Sequence, residues 1–303
     1  MRADATSRVV RALLIILACV AAFSAGCKNK DKSDDKNTPT DKQKPKAKSK
    51  PKVVKQIPVA LAAACDKGEL ERCRSLGVLY AQGRGFKKDE KKAHELFTRA
   101  CSGGVMQACS NLANVYLKGL GVKADPAQAV KLYDKACAGG HLLGCRNAGL
   151  SYLLGNGAAK DAKKAAELFG KACDGKIALA CNNLATMLRA GVGVEKDQKR
   201  AFKLFTSSCT AGDPSACANL GIAYLLGQGV AKSPRAAAVW LRKACKGDDA
   251  LGCYTSGVMA AGGSGVKKDE AAAKRFLTKG CRLGDKRACK LMLDKGWAKK
   301  KTK

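Results

Sequence analysis

The most informative segment of this chain is residues 173–209, which read CDGKIALACNNLATMLRAGVGVEKDQKRAFKLFTSSC. Cysteines stand at both ends of it, 36 residues apart, and Cys181 follows the first of them by eight residues. The same spacing recurs along the chain without insertion or deletion. One set of cysteines lies at residues 65, 101, 137, 173, 209, 245 and 281, and a second at residues 73, 109, 145, 181, 217, 253 and 289. A fixed period of this length indicates an array of repeated units.

Each repeat has the pattern of two helices. In residues 178–189, leucines at near-helical spacing predict a first helix, and Gly191 can end it by adopting a positive φ. Asp197 is a strong N-cap type and predicts the start of a second helix. The same column reads Asp89, Asp125, Asp161, Asp197, Ser233 and Asp269. Because one helix pair cannot bury its apolar face alone, neighbours must stack. We therefore predict an all-α, α/α superhelical solenoid at residues 59–297, with six full repeats and capping half-repeats at residues 59–64 and 282–297.

The first 26 residues have the pattern of an export signal. Three arginines precede an apolar run at residues 12–23, which is too short to span a bilayer and fits a signal peptide. The ending Ser24-Ala25-Gly26-Cys27 resembles a bacterial lipobox, which implies that Cys27 is acylated and becomes the mature N-terminus. Ordinary cleavage, which would leave Cys27 as a thiol, is the alternative. Lys28 then implies the outer membrane by the bacterial sorting rule, with the protein facing the periplasm.

Residues 27–58 predict a disordered tether, because residues 28–58 contain eleven lysines, four prolines and almost no large apolar side chains. It is either a plain spacer or a segment attracted to anionic envelope surfaces. A basic tail follows at residues 298–303. The formal net charge of the chain is +32, but an exported protein rarely meets nucleic acid, so we expect none as a partner. The expected partner is a protein or an anionic envelope component, and the membrane is reached through the lipid.

The repeated cysteines have three possible roles. Zinc sites favour closely spaced pairs, and with two histidines in the whole chain a metal site is a poor match. There is no C-x-x-C redox or haem-attachment motif. Structural disulfides fit an exported protein best. Pairing at a spacing of eight would use all fourteen cysteines, and pairing at a spacing of 28 would leave one unpaired at each end; the first is preferred.

The repeat closely resembles Sel1-like repeats, over about residues 59–292. The resemblance rests on Asn183-Leu184-Ala185, Gly191-Val192-Gly193-Val194, Asp197, Lys199-Arg200-Ala201 and Leu204-Phe205, and the recurring cysteines resemble the cysteine-rich subfamily named for Helicobacter cysteine-rich proteins. It implies a tetratricopeptide-like right-handed superhelix and a role as adaptor or scaffold. The disulfides that it implies are Cys65–Cys73, Cys101–Cys109, Cys137–Cys145, Cys173–Cys181, Cys209–Cys217, Cys245–Cys253 and Cys281–Cys289.

Some cysteine-rich relatives have been assigned penicillin binding and β-lactamase activity, and serine enzymes of that class need recognisable sequence elements. Ser-x-x-Lys occurs at residues 33–36, 49–52 and 264–267, but Lys-Thr-Gly and Lys-Ser-Gly are absent. His94 and His141 occupy different repeat offsets and are expected to be surface residues. We predict no catalytic residue, metal or cofactor; a β-lactam-binding or β-lactam-hydrolysing protein is the alternative.

One column of the first helices is polar in all six repeats. It has hydroxyl side chains at Ser75 and Thr255 and amide side chains at Asn111, Asn147, Asn183 and Asn219. First helices line the concave face of such arrays, which is the usual binding surface. The four asparagines are therefore candidates to bind an extended peptide or a sugar chain, as in peptidoglycan or another polysaccharide. The alternative is that each asparagine bonds a neighbouring turn within the solenoid. We predict a protein-interaction scaffold of the bacterial cell envelope.

Overall fold

The computed structural model describes residues 53–298, with side chains from residue 59, and this part contains fourteen α-helices and no β-strand. The helices are α1 (Val53–Asp66), α2 (Leu70–Gln82), α3 (Glu90–Ser102), α4 (Met106–Lys118), α5 (Pro126–Ala138), α6 (Leu142–Leu154), α7 (Ala162–Asp174), α8 (Ala178–Ala190), α9 (Gln198–Thr210), α10 (Pro214–Leu226), α11 (Pro234–Lys246), α12 (Ala250–Gly262), α13 (Glu270–Arg282) and α14 (Lys286–Asp294). None of them is both long enough and apolar enough to cross a bilayer. The predicted signal peptide, Cys27, nearly all of the tether and the tail beyond residue 298 lie outside the described residues.

Helices α2 to α13 form six consecutive pairs, and single helices, α1 and α14, stand before and after them. The even-numbered helix of each pair is its first helix, and the odd-numbered helix is its second. Each first helix packs on the second helix of its own repeat, and that second helix packs on the first helix of the next repeat. The structure is therefore the all-α solenoid that the period of 36 predicts.

The turn between the two helices of a repeat depends on glycine. In the fourth repeat, Gly191 has a φ of 72° and Gly193 has a φ of 70°, which favours glycine strongly. A Cβ atom on Gly193 would overlap the backbone of Ala162, in the second helix of the preceding repeat. The second helix then starts at the predicted N-cap, where the Asp197 carboxylate accepts a hydrogen bond from the backbone N–H of Arg200. Glycine therefore permits the close approach of successive repeats.

The core is thin and consists of alternating small and large residues. Alanines of the second helices are almost fully buried: Ala93, Ala129, Ala165, Ala201, Ala237 and Ala273 are exposed by 1% or less. In the third repeat, a Cβ atom on Gly149 would lie 2.8 Å from the ring of Phe169, so the first and second helices meet where one side chain is missing. Phe169 is fully buried. The two helices of a repeat therefore interlock through size complementarity.

Seven disulfides join cysteines eight residues apart, so the spacing of eight is the pairing that the structure contains. Cys173 lies near the end of α7 and Cys181 lies in the first turns of α8, and both are buried. The same placement recurs at the other six junctions, with Cys281 and Cys289 at the last one half-buried. Each bond ties the end of one repeat to the first helix of the next, which is the junction that a solenoid must keep closed.

A second link between repeats comes from lysines near the ends of the second helices. The Lys135 ammonium donates a hydrogen bond to the carbonyl oxygen of Cys101, 3.4 Å away, in the last turn of α3. Lys171 donates in the same way to Cys137, and Lys243 donates to Cys209. A cation here satisfies a helix-end carbonyl and interacts favourably with the negative end of the helix dipole. Part of the basic surplus is therefore structural, which the sequence alone did not indicate.

The first boundary of the array differs from the expected one. Helix α1 begins at Val53, six residues before the boundary predicted at residue 59 and inside the segment assigned to the tether. The expected boundary followed the lysine and proline content, whereas residues 53–57 read VVKQI and are already largely apolar. At the other end, α14 lies inside the predicted capping segment 282–297 and is capped by Asp285.

Removal of one central disulfide should destabilise the array. Replacing Cys173 and Cys181 by alanine opens a loop of eight residues, whose closure is worth about 2.5 kcal/mol in the chain-entropy model. We expect the free energy of unfolding in urea to fall by about that amount. The same double change at Cys65 and Cys73 is the matched control, because it loosens only α1 and should leave the main transition almost in place. Equal midpoints for the central variant and the wild type would contradict this role.

Candidate functional site

The predicted asparagine column lies on the side of the first helices that faces away from the second helices. Asn147 precedes Gly149 by two residues, and Gly149 is packed against Phe169 of the second helix. Since an α-helix turns about 100° per residue, Asn147 is on the opposite side. On each first helix, the residues that stand four positions before, three positions after and seven positions after the member of this column lie on the same side of the helix as that member. We call this surface the first-helix face.

The first-helix face is rich in exposed apolar side chains from the third repeat to the sixth. Large hydrophobic residues on it are 40–44% exposed: Leu143, Leu154, Leu179, Leu226 and Val258. They flank Asn147, Asn183 and Asn219 and, in the sixth repeat, Thr255, which replaces asparagine in that column. Scattered exposed leucines are ordinary, whereas contiguous apolar patches are typical of interaction sites.

The first-helix face also differs in charge from the rest of the array. Helices α10 and α12 contain no charged residue, and α6 contains only Arg146. Most of the lysines that lie within helices are on the second helices, as in α7 with Lys163, Lys164 and Lys171, and many others lie in the turns. From the third repeat to the sixth, the array therefore has a basic side, formed by second helices, and a nearly neutral apolar side, formed by first helices.

The asparagines do not all have the same surroundings. The Asn219 amide donates a hydrogen bond to the Asn182 side-chain oxygen, 2.9 Å away, and its own oxygen accepts one from Arg189 at 3.3 Å. Asn147 accepts a hydrogen bond from its neighbour Arg146. By contrast, the side-chain nitrogen of Asn183 is buried and donates no hydrogen bond within the described chain. Asn219 thus links two first helices, whereas Asn183 retains an unused donor.

Asn111 lies on α4 at the same offset and is half-buried. Its helix belongs to the second repeat, where the exposed leucines of the later repeats are replaced by Gln107, Asn114 and Lys118. The first-helix face is therefore polar in the second repeat and apolar from the third repeat onward. Asn182, the partner of Asn219, was not among the predicted residues, although its place beside Asn183 in the Asn-Asn pair was a visible signal.

Charged side chains from non-adjacent repeats influence one another across the first helices. Burial raises the pKa of Asp213, at the start of α10, while the positive charge of Arg146 on α6 opposes that rise. Burial lowers the pKa of His141 at the start of α6, and Arg74 of α2 lowers it further. In each of these two cases, one whole repeat lies between the two charged or titratable side chains. Successive first helices approach one another more closely than successive second helices do, as in α10 and α12 compared with α11 and α13. The first helices therefore lie on the inner side of the array.

An acidic row stands at the starts of the last first helices and was missed in the sequence. Asp213, Asp249 and Asp285 are N-caps of α10, α12 and α14, spaced by the period of 36. Burial raises the pKa of Asp249, and the carboxylates of Asp213 and Asp285 raise it further. Ser215 donates a hydrogen bond to Asp249 at 2.9 Å. The recurrence of aspartate at these three positions was the signal for this row.

The residues considered for catalysis are not gathered into one site. Ser264 and Lys267 are exposed in the turn before α13, and the other two Ser-x-x-Lys segments lie outside the described residues. The His94 ring nitrogen is 3.1 Å from the hydroxyl oxygen of Tyr116, in a contact between the first two repeats. His141 is the N-cap of α6. No group of three or more His, Cys, Asp or Glu side chains suited to a metal occurs among the described residues.

The fold and its first-helix face define a class, that of disulfide-linked helical-repeat proteins with a nearly neutral inner surface. The chain belongs to the Sel1 repeat family, because the Sel1 repeat model matches six consecutive segments. They are residues 73–105, 107–141, 143–176, 178–213, 214–249 and 250–285. With a disulfide at each repeat, it is a cysteine-rich Sel1-like protein. Sel1 repeat proteins generally act as protein-interaction scaffolds. Disulfides in this number indicate an oxidising, exported compartment.

Two solved structures with TM-scores above 0.5 agree with this assignment. The protective antigen c5321 of uropathogenic Escherichia coli has 28% identity and a TM-score of 0.69 over 81% of this chain and 53% of its own, so the present chain spans about half its length. A Sel1 repeat protein from Oxalobacter formigenes has 25% identity and a TM-score of 0.67 over 74% of this chain and 99% of its own. Helicobacter pylori cysteine rich protein B has 32% identity, over 44% of this chain and 95% of its own, with a TM-score of 0.37. No curated protein sequence matches the chain.

Asp213 should make stability depend on pH. Its pKa is raised above 3.8 in the folded protein, so protonation stabilises the fold below that pH and this contribution is lost as the pH rises through the raised pKa. Asp213→Asn keeps an N-cap but has no carboxyl group to ionise, so its stability does not lose this contribution as the pH rises. We expect the variant to gain unfolding free energy relative to wild type between acid and neutral pH, measured by urea titration. Asp161→Asn, the same change at an exposed N-cap, is the control. A difference between D213N and wild type that is the same at every pH would contradict this assignment.

Proposed function

We propose that this protein is a non-catalytic scaffold of the bacterial cell envelope that binds a segment of another protein on the first-helix face. The observation that carries the proposal is the contrast between the two sides of the array. Exposed leucines, including Leu143, Leu154, Leu179 and Leu226, lie on helices that are almost without charge. Lysines and arginines keep the other side hydrated. An apolar strip within such a basic protein favours a protein partner over nucleic acid.

The chemistry of the face favours a segment that presents both apolar side chains and backbone groups. The leucines offer apolar surface, and the buried Asn183 side-chain nitrogen lacks a protein acceptor. A backbone carbonyl of the bound segment would satisfy that donor, since a buried unpaired donor is costly. Because successive first helices approach one another more closely than successive second helices do, the face is concave, which increases the area that one segment can contact.

The cellular setting of the proposal rests on the N-terminal sequence together with the disulfides. Cys27 follows a signal-like segment, and its acylation would tie the protein to a membrane, with Lys28 favouring the outer one. The seven disulfides require oxidation after export. The basic residues between Cys27 and the array would then hold the solenoid near anionic envelope components, with its first-helix face available to a partner in the periplasm.

Charged substitutions on the first-helix face should abolish partner binding. Leu154→Glu with Leu226→Glu places two carboxylates among the leucines, and burial of one leucine is worth about 1.5–3 kcal/mol, so binding should fall roughly tenfold or more for each. The measurement is cross-linking in envelopes, followed by mass spectrometry. Val239→Glu is the matched control, because Val239 is 53% exposed on a second helix, α11.

Three outcomes would overturn the proposed face or the proposed partner class. Equal recovery of the cross-linked protein by the double glutamate variant and by the wild type would exclude the face. Capture of glycan without protein would point to a peptidoglycan or polysaccharide binder. Turnover of nitrocefin by the purified, oxidised protein above the rate in buffer would show that it is a β-lactamase and would contradict a purely scaffolding role.

Acylation of Cys27 is tested independently. The full chain is expressed in bacteria that are fed an alkyne-labelled fatty acid. We expect the label on wild type and its loss in Cys27→Ser, because the thiol is the acylated atom. Cys19→Ser, inside the signal-like segment, is the control and should keep the label. An unlabelled wild type, or a labelled Cys27→Ser protein, would remove the lipid anchor from the proposal.

A further inference from the structure

Tyrosines of the first helices fill a slot that opens between the second helices of successive repeats. The Tyr152 hydroxyl donates a hydrogen bond to the Asp134 carboxylate of α5, 2.6 Å away, and accepts one from the Lys164 ammonium of α7 at 2.6 Å. The ring therefore bridges the second helix before it and the second helix after it. Its hydroxyl marks the outer end of the slot.

The same slot is filled by tyrosine in other repeats. Tyr116 lies edge-on to His94, and Tyr224 lies edge-on to Phe202, each of which belongs to the preceding second helix. The column departs from tyrosine in two of the six repeats, at Leu188 and Ala260. A cavity or groove lies beside each of these two departures.

In the sixth repeat the slot is a cavity of about 170 Å³. Two changes in the repeat pattern produce it. Ala260 replaces tyrosine, and Ser256 replaces the leucine that stands at the same offset in most other repeats, such as Leu184 and Leu220. The walls come from α11, α12 and α13, and they include Ala238, Met259, Val266 and Phe276. A cavity of about 150 Å³ lined by apolar groups is large enough to bind benzene. The space therefore has the size and the lining for one aromatic ring.

The fourth repeat shows the same relation in a more open form. Leu188 replaces tyrosine there, and a groove of about 570 Å³ is lined by Leu184, Leu188 and Val194. The leucine still fills part of the slot, and Gly170 leaves the outer end without a side chain. The slot of the sixth repeat is the more specific site, because it is smaller and has polar groups at defined positions.

Ser256 is a polar group inside this cavity without a protein partner. Its residue is 4% exposed, and its hydroxyl makes no hydrogen bond within the described chain. A buried hydroxyl without a partner is costly. The leucine found in other repeats would avoid that cost. A hydroxyl here is therefore suited to a ligand that brings a polar atom into the cavity.

The repeat geometry indicates where the substituent of a bound ring would lie. In the third repeat the Tyr152 hydroxyl reaches Asp134, and the residue at that offset beside the cavity is Arg242. Lys267 also lines the cavity. Among the residues that line the cavity, Asp269 has the one carboxylate, and that carboxylate accepts a hydrogen bond from the backbone N–H of Ala272. Two cations near the outer end favour an anionic substituent.

The geometry points to a binding site for a small aromatic carboxylate between α11, α12 and α13. The ring occupies the space that tyrosine fills elsewhere, beside Ala260 and Met259. Its carboxylate lies next to Arg242, and Ser256 hydrogen-bonds to a polar atom of the ligand. This site is on the second-helix side of the array and is independent of the first-helix face, so it adds a small-molecule function to the proposed scaffold.

The test uses 4-methylbenzoate, which is a tyrosine side chain with a carboxylate in place of the hydroxyl. Its binding to the oxidised protein is followed by calorimetry or by ligand-observed NMR, with the neutral 4-methylbenzamide as the comparison ligand. We expect the carboxylate to bind more tightly than the amide. Arg242→Gln should remove most of that preference: it should weaken binding of the carboxylate about fivefold and leave binding of the amide unchanged. The effect is modest because Arg242 is partly exposed.

Ala260→Tyr restores the tyrosine of the column, so it should abolish binding of both compounds and raise the melting temperature. Ser256→Leu restores the leucine and should also block the cavity, which keeps the test decisive if one variant folds poorly. Ala190→Tyr adds the same ring at an exposed end of α8 and should bind as wild type. Absence of 4-methylbenzoate binding to the wild type, or undiminished binding by a folded Ala260→Tyr protein, would overturn the proposal.

Discussion

Contact between one repeat and the next is the interaction on which the rest of this structure depends. A pair of 13-residue helices such as α8 and α9 has too little surface to form a core of its own. The approach of neighbouring repeats is permitted by absent side chains, as at Gly193 against Ala162. It is then held by a disulfide at each junction and by lysines such as Lys171, which donate to the end of the preceding second helix. Short-range contacts of the same kind repeat along the array.

Uniform stacking explains why departures from the repeat pattern matter. Side chains needed for stacking cannot vary much, so a variation at such a position changes the shape of the array locally. Ala260 and Ser256 replace the larger residues of their columns, and a cavity follows. Asp213 replaces the uncharged residues that stand at this offset in the second to fourth repeats, and it places a buried carboxylate at the start of α10. Specific features of this protein are therefore found where one repeat differs from the others.

The two sides of the array have separate chemical roles. Most of the basic residues that lie within helices are on the second helices, where some of them cap neighbouring helices. The first helices are almost uncharged from α6 to α12, and their exposed leucines lie beside asparagines. A strongly basic composition therefore coexists with a neutral surface suited to a protein partner. Net charge alone would have suggested a different kind of ligand.

Local chemistry was sufficient to predict the fold. The period of 36, the glycines after each first helix and the aspartate N-caps are signals within a few residues of one another, and the helices begin and end where these signals place them. The start of α1 at Val53 was missed, because that boundary was judged from composition. The partner of Asn219, the burial of Asp213 and the cavity beside Ala260 were not predictable in this way. Each depends on the angle at which consecutive repeats stack, and that angle results from the packing of many side chains together rather than from any one repeat.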